Sequence, residues 1–573
     1  MNHAVKPTYR AVRHKLVLGM MLGVFLLLGA RAVFLQVVNA GYLQEQGNAR
    51  HLRVVEDNSH RGMILDRNGE PLAISTPVDS LWANPEELSG AYNRWPALAK
   101  LLGMPVREIG QQVRRYAGRE FMYLKRHVTP EMAQQVMALD VPGVAVQHEY
   151  RRYYPAGAVA GHVVGFTNVD DEGQEGLELA YNNWLRATPG KKRVLKDRLG
   201  NVVETVESIS LPIAGRDLTI SIDRRIQYLA YRELKAAVAE SKAHAATAVV
   251  LDARSGEILA MVNEPGFNPN NRSNLHSQVF RNRAVTDVFE PGSTLKAFTV
   301  ATALESGKFS PSTLIDTAPG NIQVGRNTIR DTHNYGLLTV GGVIEKSSNV
   351  GATKIAFGLS KTSLWQMLTK VGFGSLTKVG LPGESAGVVN PASGWGPIEQ
   401  ATVSFGYGIS VTALQLAHAY TGLANDGVVV PLTLLRRDQP AEGVRVMSDR
   451  TARQVGAMLE MAVSADGTGA AAQVYHYRVA GKTGTVHKLS GGSYSANNYL
   501  ALFAGFAPAS DPRLVMVIMV DDPAGNAYYG GQIAAPVFGK VMSGALRLLN
   551  ITPDDLERST QHMVQAEPGR NAL

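Results

Sequence analysis

Three short motifs carry residue types suited to serine acyl transfer. In chain order they are Ser293-Thr294-Leu295-Lys296, Ser347-Ser348-Asn349 and Lys482-Thr483-Gly484-Thr485. A serine hydroxyl is a poor nucleophile until a neighbouring base takes its proton. A lysine three residues further along a helix lies within reach of that hydroxyl. The first motif therefore predicts a nucleophile, Ser293, next to a base, Lys296.

Two other segments match one motif each. Ser375-Leu376-Thr377-Lys378 also has the form Ser-x-x-Lys, and Ser495-Ala496-Asn497 is a second Ser-x-Asn. Their order excludes them, because no Ser-x-Asn lies between Lys378 and Lys482 and because Ser495 follows Lys-Thr-Gly. Only the assignment that begins at Ser293 contains all three motifs in sequence.

The chemistry requires a neutral lysine. Pro291 and Gly292 precede Ser293, so a helix should begin at the serine and place its amino terminus where negative charge develops. The pKa of free lysine, about 10.4, must fall through burial or a nearby cation before Lys296 can accept a proton. Lys482 is a candidate for that cation.

The other motif residues suit substrate handling. Ser347 can relay a proton to the leaving group, and Asn349 can position the substrate amide and hold Lys296. Gly484 leaves room for a peptide against an edge strand. A substrate carboxylate can be held by Lys482, Thr483 and Thr485, and the backbone amides of Ser293 and Thr485 are candidate oxyanion donors.

Each motif alone also has a purely structural interpretation. Ser293 and Asn349 could cap helices, Lys296 could be a solvated surface lysine, and Lys482-Thr483-Gly484 could be an ordinary strand end. Their joint occurrence in this order favours the acyl-transfer site.

Bulk composition narrows the class of protein. The chain has 573 residues, 45% hydrophobic and 18% charged, which indicates a globular protein of more than one unit. The net charge is +8. Outside the amino-terminal tail, the sequence has no run of Lys and Arg interleaved with aromatic residues, so we expect no nucleic acid as a partner. With no cysteine, disulfides, thiolate metal sites and cysteine nucleophiles are excluded. We expect no metal and no cofactor.

Residues 16–38 form an apolar segment near the amino terminus. As a helix it would span roughly 35 Å at about 1.5 Å per residue, enough for a bilayer core of about 30 Å. Residues 1–15 contain Lys6, Arg10, Arg13 and Lys15 and no acid, so this tail should stay in the cytoplasm. A cleaved signal peptide is the alternative, since Ala30-Arg31-Ala32 has the form of a cleavage site. The apolar run continues beyond that site, which favours an uncleaved transmembrane helix.

The remainder divides into two regions and a tail. Residues 41–215 contain strands and turns, with 161–166 interpreted as strand and turn, and combine no nucleophile and base, so we interpret them as a scaffold. Residues 216–552 should form an α/β domain whose sheet joins distant segments. Its predicted helices are 223–242 and 535–549, and its predicted strands are 246–252, 257–262, 499–506 and 514–520. Residues 553–573 should be a poorly ordered tail.

The motifs resemble those of the penicillin-binding proteins and serine β-lactamases. Class B penicillin-binding proteins are similar over nearly the whole chain, including residues 61–67, 289–293 and 404–408. A narrower resemblance, to the division-specific members of that class, rests on Asp521-Asp522-Pro523, Tyr528-Tyr529-Gly530-Gly531 and Ala534-Ala535-Pro536-Val537-Phe538.

That resemblance implies an α/β (α+β) architecture. Its parts are a single amino-terminal transmembrane helix, an elongated pedestal of the dimerisation type at 41–215, and at 216–552 a transpeptidase domain of the serine β-lactamase-like fold, with a central antiparallel sheet flanked by helices. The implied activity is a D,D-transpeptidase that cross-links D-Ala-D-Ala stem peptides at the septum and is acylated by β-lactams. Tyr528 and Tyr529 would wall the acyl pocket or, alternatively, lie buried in the core.

The resemblance also implies a place and partners. The protein would cross the inner membrane once, with a periplasmic catalytic domain, and would act with a membrane-embedded glycan polymerase of the FtsW type and other division proteins. An elongation-specific role and a catalytically silent scaffold remain alternatives. A β-lactamase is disfavoured because no Glu-x-x-Asn lies between residues 349 and 482. A bifunctional synthase would need some 200 further residues, and a sensor would need more than the 15 residues that precede the membrane segment.

Overall fold

The computed structural model describes residues 8–42, 52–196, 202–273, 276–439, 441–490, 493–525 and 527–556. Predictions for residues 1–7 of the tail and for 557–573 therefore lie outside the described residues. The α-helices are α1 (Thr8–Val33), α2 (Pro85–Gly90), α3 (Trp95–Leu102), α4 (Val106–Arg115), α5 (Pro130–Met137), α6 (Gly161–Val164), α7 (Gly176–Ala180), α8 (Asn182–Leu185), α9 (Arg224–Ser241), α10 (Arg283–Thr286), α11 (Lys296–Glu305), α12 (Val340–Glu345), α13 (Asn349–Phe357), α14 (Lys361–Lys370), α15 (Pro397–Val403), α16 (Ala413–Ala424), α17 (Asp449–Met461) and α18 (Gly530–Leu548).

The strands are β1 (Leu52–Asp57), β2 (Ile64–Leu65), β3 (Pro71–Ala83), β4 (Met122–Val128), β5 (Val144–Tyr153), β6 (Phe166–Thr167), β7 (Gly173–Glu175), β8 (Gly190–Lys196), β9 (Val202–Ser210), β10 (Leu218–Thr219), β11 (Ala245–Asp252), β12 (Ile258–Glu264), β13 (Leu314–Asp316), β14 (Asn321–Val324), β15 (Asn327–Arg330), β16 (Leu337–Thr339), β17 (Val428–Val429), β18 (Val444–Arg445), β19 (Ala480–Ser490), β20 (Ser493–Ala507) and β21 (Leu514–Asp521).

The amino-terminal helix is long and apolar enough to cross a membrane. α1 continues into a π-helical turn at Phe34–Val38, and the apolar span covers Ala11–Val38. None of that span is buried against the rest of the protein, so its apolar side chains lie exposed. Such an apolar surface suits lipid rather than water. The span includes residues 16–38 of the sequence analysis.

The chain forms two compact units. For the described residues, the first unit lies within 1–60, 77–151 and 187–214, and the second lies within 61–76, 152–186 and 215–573. Two segments of the expected pedestal, 61–76 and 152–186, thus belong to the second unit. Within the first unit β1, β8 and β9 form an antiparallel sheet, and a small core joins β4 to the helices α2–α5.

A five-stranded antiparallel sheet organises the second unit. Its order is β12-β11-β21-β20-β19, so β19 occupies one edge. The residues of β11 and β21 are buried on both faces, which explains why both strands read as nearly continuous apolar runs. Helices α9 and α18 cover one face, and α16 packs on the other.

Most elements predicted for this unit are confirmed. α9 begins after Asp223, whose carboxylate accepts the amide of Arg225 at 3.0 Å, and ends at Lys242 in the left-handed conformation. The four predicted strands correspond to β11, β12, β20 and β21, and α18 contains most of the predicted terminal helix. One prediction in the other region is wrong, because residues 161–164 form the short helix α6. All four of its residues are buried, and Gly165 at φ +76° turns the chain into β6.

A buried ion cluster ties the early segments of the second unit together. Arg61 Nε donates to Glu178 Oε2 at 2.7 Å, and Arg152 Nε donates to Glu178 Oε1 at 2.6 Å. Arg61 also donates to Asn182 Oδ1 at 2.9 Å. Since Arg61 and Glu178 are fully buried, both charges depend on this pairing rather than on water. The cluster explains why segments far apart in the sequence pack in one unit.

Replacing Glu178 by alanine should lower the free energy of unfolding by about 3–5 kcal/mol, because two buried arginines would lose their counter-charge. Denaturant or thermal unfolding of the purified protein would measure the loss. Glu70→Ala is the matched control, since Glu70 meets Arg224 at 3.5 Å in an exposed pair, where about 0–1 kcal/mol is expected. Equal effects of the two substitutions would contradict the assigned role of the cluster.

Candidate active site

Ser293 lies in a single tight turn rather than in an α-helix. Residues Gly292–Leu295 form a 3-10 turn, and α11 follows from Lys296. In a 3-10 turn the side chains at i and i+3 eclipse, so Lys296 lies directly beside Ser293. Gly292 adopts φ +54°, and a Cβ there would lie 2.4 Å from Val486 Cγ2 of the edge strand. Glycine at this position thus lets β19 approach the serine turn.

The amine of Lys296 connects the first two motifs. Its Nζ lies 2.9 Å from Ser293 Oγ, 2.6 Å from the Ser347 carbonyl oxygen, 3.2 Å from Ser347 Oγ and 2.8 Å from Asn349 Oδ1. The amine donates to the carbonyl and to the amide oxygen. A neutral amine has two protons for these two acceptors, and its lone pair could then accept the Ser293 hydroxyl proton.

Burial and charge both favour the neutral form of Lys296. The side chain is fully buried. Loss of hydration lowers its pKa well below the usual range, the positive charge of Lys482 lowers it further, and the negative charge of Asp331 partly opposes both. Burial and the neighbouring positive charge therefore both favour the unprotonated amine.

The third motif lies on β19. Lys482 is fully buried, and burial lowers its pKa to about 7. Its Nζ lies 3.3 Å from Thr483 Oγ1 and 3.4 Å from Thr468 Oγ1, and the two threonine hydroxyls are 2.9 Å apart. The Thr485 hydroxyl accepts the amide of Gly530 at 3.0 Å. This group of hydroxyls and an ammonium can hold a carboxylate.

Gly484 has a packing role. A Cβ there would lie 3.2 Å from the Pro291 carbonyl oxygen and 3.1 Å from Leu502 Cβ, which is tighter than ordinary contact. Side chains alternate along a strand, so Gly484 lies on the opposite face of β19 from Thr483 and Thr485. A glycine on that face allows β19 to pack closely against the serine turn. The sequence predicts room for a peptide at Gly484, whereas the close neighbour in the structure is the serine turn itself.

The rings of Tyr499, Tyr528 and Tyr529 form a cluster. The Tyr528 ring stacks on Tyr499 with centroids 4.3 Å apart, and its hydroxyl donates to the Tyr529 hydroxyl at 3.2 Å. Tyr528 is half-buried and Tyr529 is 47% exposed, so the alternative of burial in the core is wrong for both. Tyr499 of β20 is paired in register with His487 of the edge strand β19.

The structure brings Ser293, Lys296, Ser347 and Asn349 into direct contact. The competing motifs have other roles: the Ser375 carbonyl accepts Gln415 Nε2 at 2.7 Å, and the Ser495 hydroxyl accepts the Asn498 amide at 3.2 Å. Sequence reasoning missed Asp331 and Thr468, which bond to motif residues, and Tyr499, whose ring stacks on Tyr528. None belongs to a short motif, although Tyr499 begins a predicted strand.

Known proteins resemble both parts of the chain. Residues 246–543 match the family model of the penicillin-binding protein transpeptidase domain, and residues 56–220 match that of the penicillin-binding protein dimerisation domain. The chain is 42% identical to the peptidoglycan D,D-transpeptidase FtsI of Escherichia coli, over 95% of this chain and 93% of that protein.

Solved structures agree with the family match. The transpeptidase domain of penicillin-binding protein 3 from Burkholderia pseudomallei is 45% identical, with a TM-score of 0.55 over 58% of this chain and 97% of that one. A peptidoglycan synthetase from Bifidobacterium adolescentis is 26% identical, with a TM-score of 0.69 over 88% of this chain and 98% of that one.

Replacing Lys482 by methionine should stabilise the protein while impairing its chemistry. The pKa of Lys482 falls from 10.5 to about 7 on folding, so the folded state resists protonation. Each pKa unit corresponds to about 1.4 kcal/mol, which makes the expected gain on the order of a few kcal/mol at and below pH 7.

The gain should shrink as pH rises from about 7 to 10.5, because the wild-type lysine then becomes neutral in the unfolded chain as well. Thermal midpoints of both proteins across this range measure the effect. Lys540→Met is the control, since its side chain is exposed, and should leave the midpoint nearly unchanged. A pH-independent difference would contradict the assignment.

Proposed function

The chain belongs to the class B penicillin-binding proteins, and on that basis we propose that it is a peptidoglycan D,D-transpeptidase that cross-links stem peptides during septal wall synthesis through an acyl-enzyme on Ser293. The observation that carries the mechanism is the contact of the buried Lys296 amine with Ser293 Oγ at 2.9 Å. No metal or cofactor takes part in the proposed reaction.

The first half-reaction acylates the serine. Neutral Lys296 takes the Ser293 hydroxyl proton while Oγ attacks the carbonyl carbon between the two D-Ala residues. The tetrahedral oxyanion is stabilised by backbone amides, for which Ser293 and Thr485 are the proposed donors. Ser347, 3.2 Å from Lys296 Nζ, relays a proton to the departing D-Ala nitrogen as the peptide bond breaks.

The second half-reaction transfers the acyl group. An amine of a second stem peptide attacks the ester carbonyl and loses a proton, and Ser293 Oγ leaves and regains its own. One peptide bond forms for the one broken, so no energy source is needed. A β-lactam acylates the same serine, but its amine stays tethered and obstructs the second amine, so the acyl-enzyme persists.

Substrate contacts follow from the same geometry. Asn349 positions the substrate amide while it accepts the lysine amine. The terminal carboxylate meets Lys482, Thr483 and Thr485, and Gly484 keeps the serine turn close to the strand. Tyr528 and Tyr529 wall the acyl pocket, where their exposure leaves the rings available to a ligand.

The domains have separate tasks in this proposal. Residues 16–38 anchor the protein in the inner membrane, residues 1–15 remain cytoplasmic, and the catalytic domain at 216–552 lies in the periplasm at the septum. The region 41–215 is a pedestal for partners, including a glycan polymerase of the FtsW type. The match of residues 56–220 to a dimerisation domain supports a non-catalytic role for this region.

Replacing Ser293 by alanine should abolish covalent labelling by a fluorescent penicillin, because the substitution removes the nucleophile and little else. The thermal midpoint should stay near the wild-type value, since Ser293 is only partly buried. Mass spectrometry of the wild-type adduct would identify the acylated residue. Ser375→Ala, the matched control, should label normally.

Labelling of the Ser293→Ala protein, or an adduct on Ser375, would contradict the assignment of the nucleophile.

Cell shape tests the division role separately. Cells in which the Ser293→Ala protein replaces the wild type should form filaments, whereas rounded cells would indicate the elongation role. Normal growth without labelling would support the silent scaffold.

A further inference from the structure

Asp331 organises the loop that presents Ser347 and Asn349. It follows β15, and its own amide donates to the Gly320 carbonyl at 2.9 Å. Its Oδ1 accepts the amides of Asn349 at 2.5 Å and Val350 at 3.0 Å, while its Oδ2 accepts the Ser348 hydroxyl at 2.5 Å. One carboxylate therefore holds the first turn of α13.

That turn carries the groups that hold the catalytic amine. Ser347 is in the left-handed conformation at φ +62°, which a serine rarely adopts, and its carbonyl accepts Lys296 Nζ at 2.6 Å. Asn349 accepts the same amine through Oδ1 and donates through Nδ2 to the Arg330 carbonyl, one residue before Asp331, at 3.2 Å. The strained Ser347 is thus followed directly by a turn that the Asp331 carboxylate holds through three hydrogen bonds.

Asp331 also acts on Lys296 through its charge. Within the described chain, two charged groups influence this buried amine, namely Lys482 from β19 and Asp331 from the end of β15. The remaining groups that face it are neutral, namely the Ser293 and Ser347 hydroxyls and the Asn349 amide. Asp331 makes no direct hydrogen bond to the amine. Its negative charge acts on the amine at a distance, and its hydrogen bonds hold the turn that contacts the amine.

We propose that Asp331 is a positioning residue of the transpeptidase site, whose carboxylate fixes the Ser347-Ser348-Asn349 turn against Lys296 and places a negative charge behind that turn. The inference rests on the proposed function, since it assigns a pH effect to a lysine base. It differs from an ordinary helix cap, which would contribute to stability and nothing to the pH profile.

The test is the pH dependence of the acylation rate constant with fluorescent penicillin, measured on the full-length protein. Asp331→Asn keeps an oxygen for both backbone amides and an NH₂ for the Ser348 oxygen but removes the charge. The Lys296 pKa should then fall, because the opposing negative charge is gone. The acid limb of the profile should move to lower pH.

Two further variants separate position from charge. Ser348→Ala removes one bond to Asp331 and keeps the charge, so it should lower the plateau rate by about tenfold and leave the acid limb in place. Asp316→Asn is the matched control. The Asp316 carboxylate also accepts one backbone amide, from Ala318 at 2.9 Å. Among the hydrogen bonds of the described residues it has none to Ser347, Ser348 or Asn349, so the pH profile of this variant should match the wild type.

An unmoved acid limb in Asp331→Asn, whatever its thermal midpoint, would overturn the inference and leave Asp331 as a cap. A limb that moves to higher pH would overturn it as well. The proposed function is tested apart from this, by the wild-type adduct on Ser293. Without that adduct the proposed function fails, and the inference fails with it.

Discussion

The burial of the Lys296 amine is the constraint on which the rest of the site depends. A charged ammonium in that position would have to give up its hydration beside a second buried lysine. The neutral amine avoids that cost, and its lone pair can then take the serine proton. The two lysines destabilise the charged state of the folded protein, and the same destabilisation makes Lys296 a base.

The surrounding elements serve to hold three chain segments around that amine. The 3-10 turn eclipses Ser293 and Lys296, glycines at 292 and 484 let the edge strand approach, and Asp331 fixes the turn before α13. The five-stranded sheet, buried on both faces, keeps β19 in place along one side. The exact placement of these segments matters because a displacement of about 1 Å at a reacting group can lower the rate about a hundredfold.

Local patterns in the sequence predicted what depends on near neighbours. Asp223 marked the start of α9, and the apolar runs of β11 and β21 marked two strands of the sheet, the first of them as buried. The three motifs marked the residues that surround Lys296. Features that depend on distant partners were missed: Asp331 gains its role only when β15 meets α13, and residues 161–164 form a helix through burial rather than through periodicity.

The pH dependence of acylation in the wild-type protein tests the central claim most directly. If Lys296 is neutral because it is buried, the second-order rate constant for penicillin acylation should reach its plateau well below pH 10.5, the usual pKa of lysine. Mass spectrometry would confirm Ser293 as the acylated residue at each pH. A rate constant that rises tenfold per pH unit up to about pH 10 would show an ordinary, protonated lysine and would contradict the account.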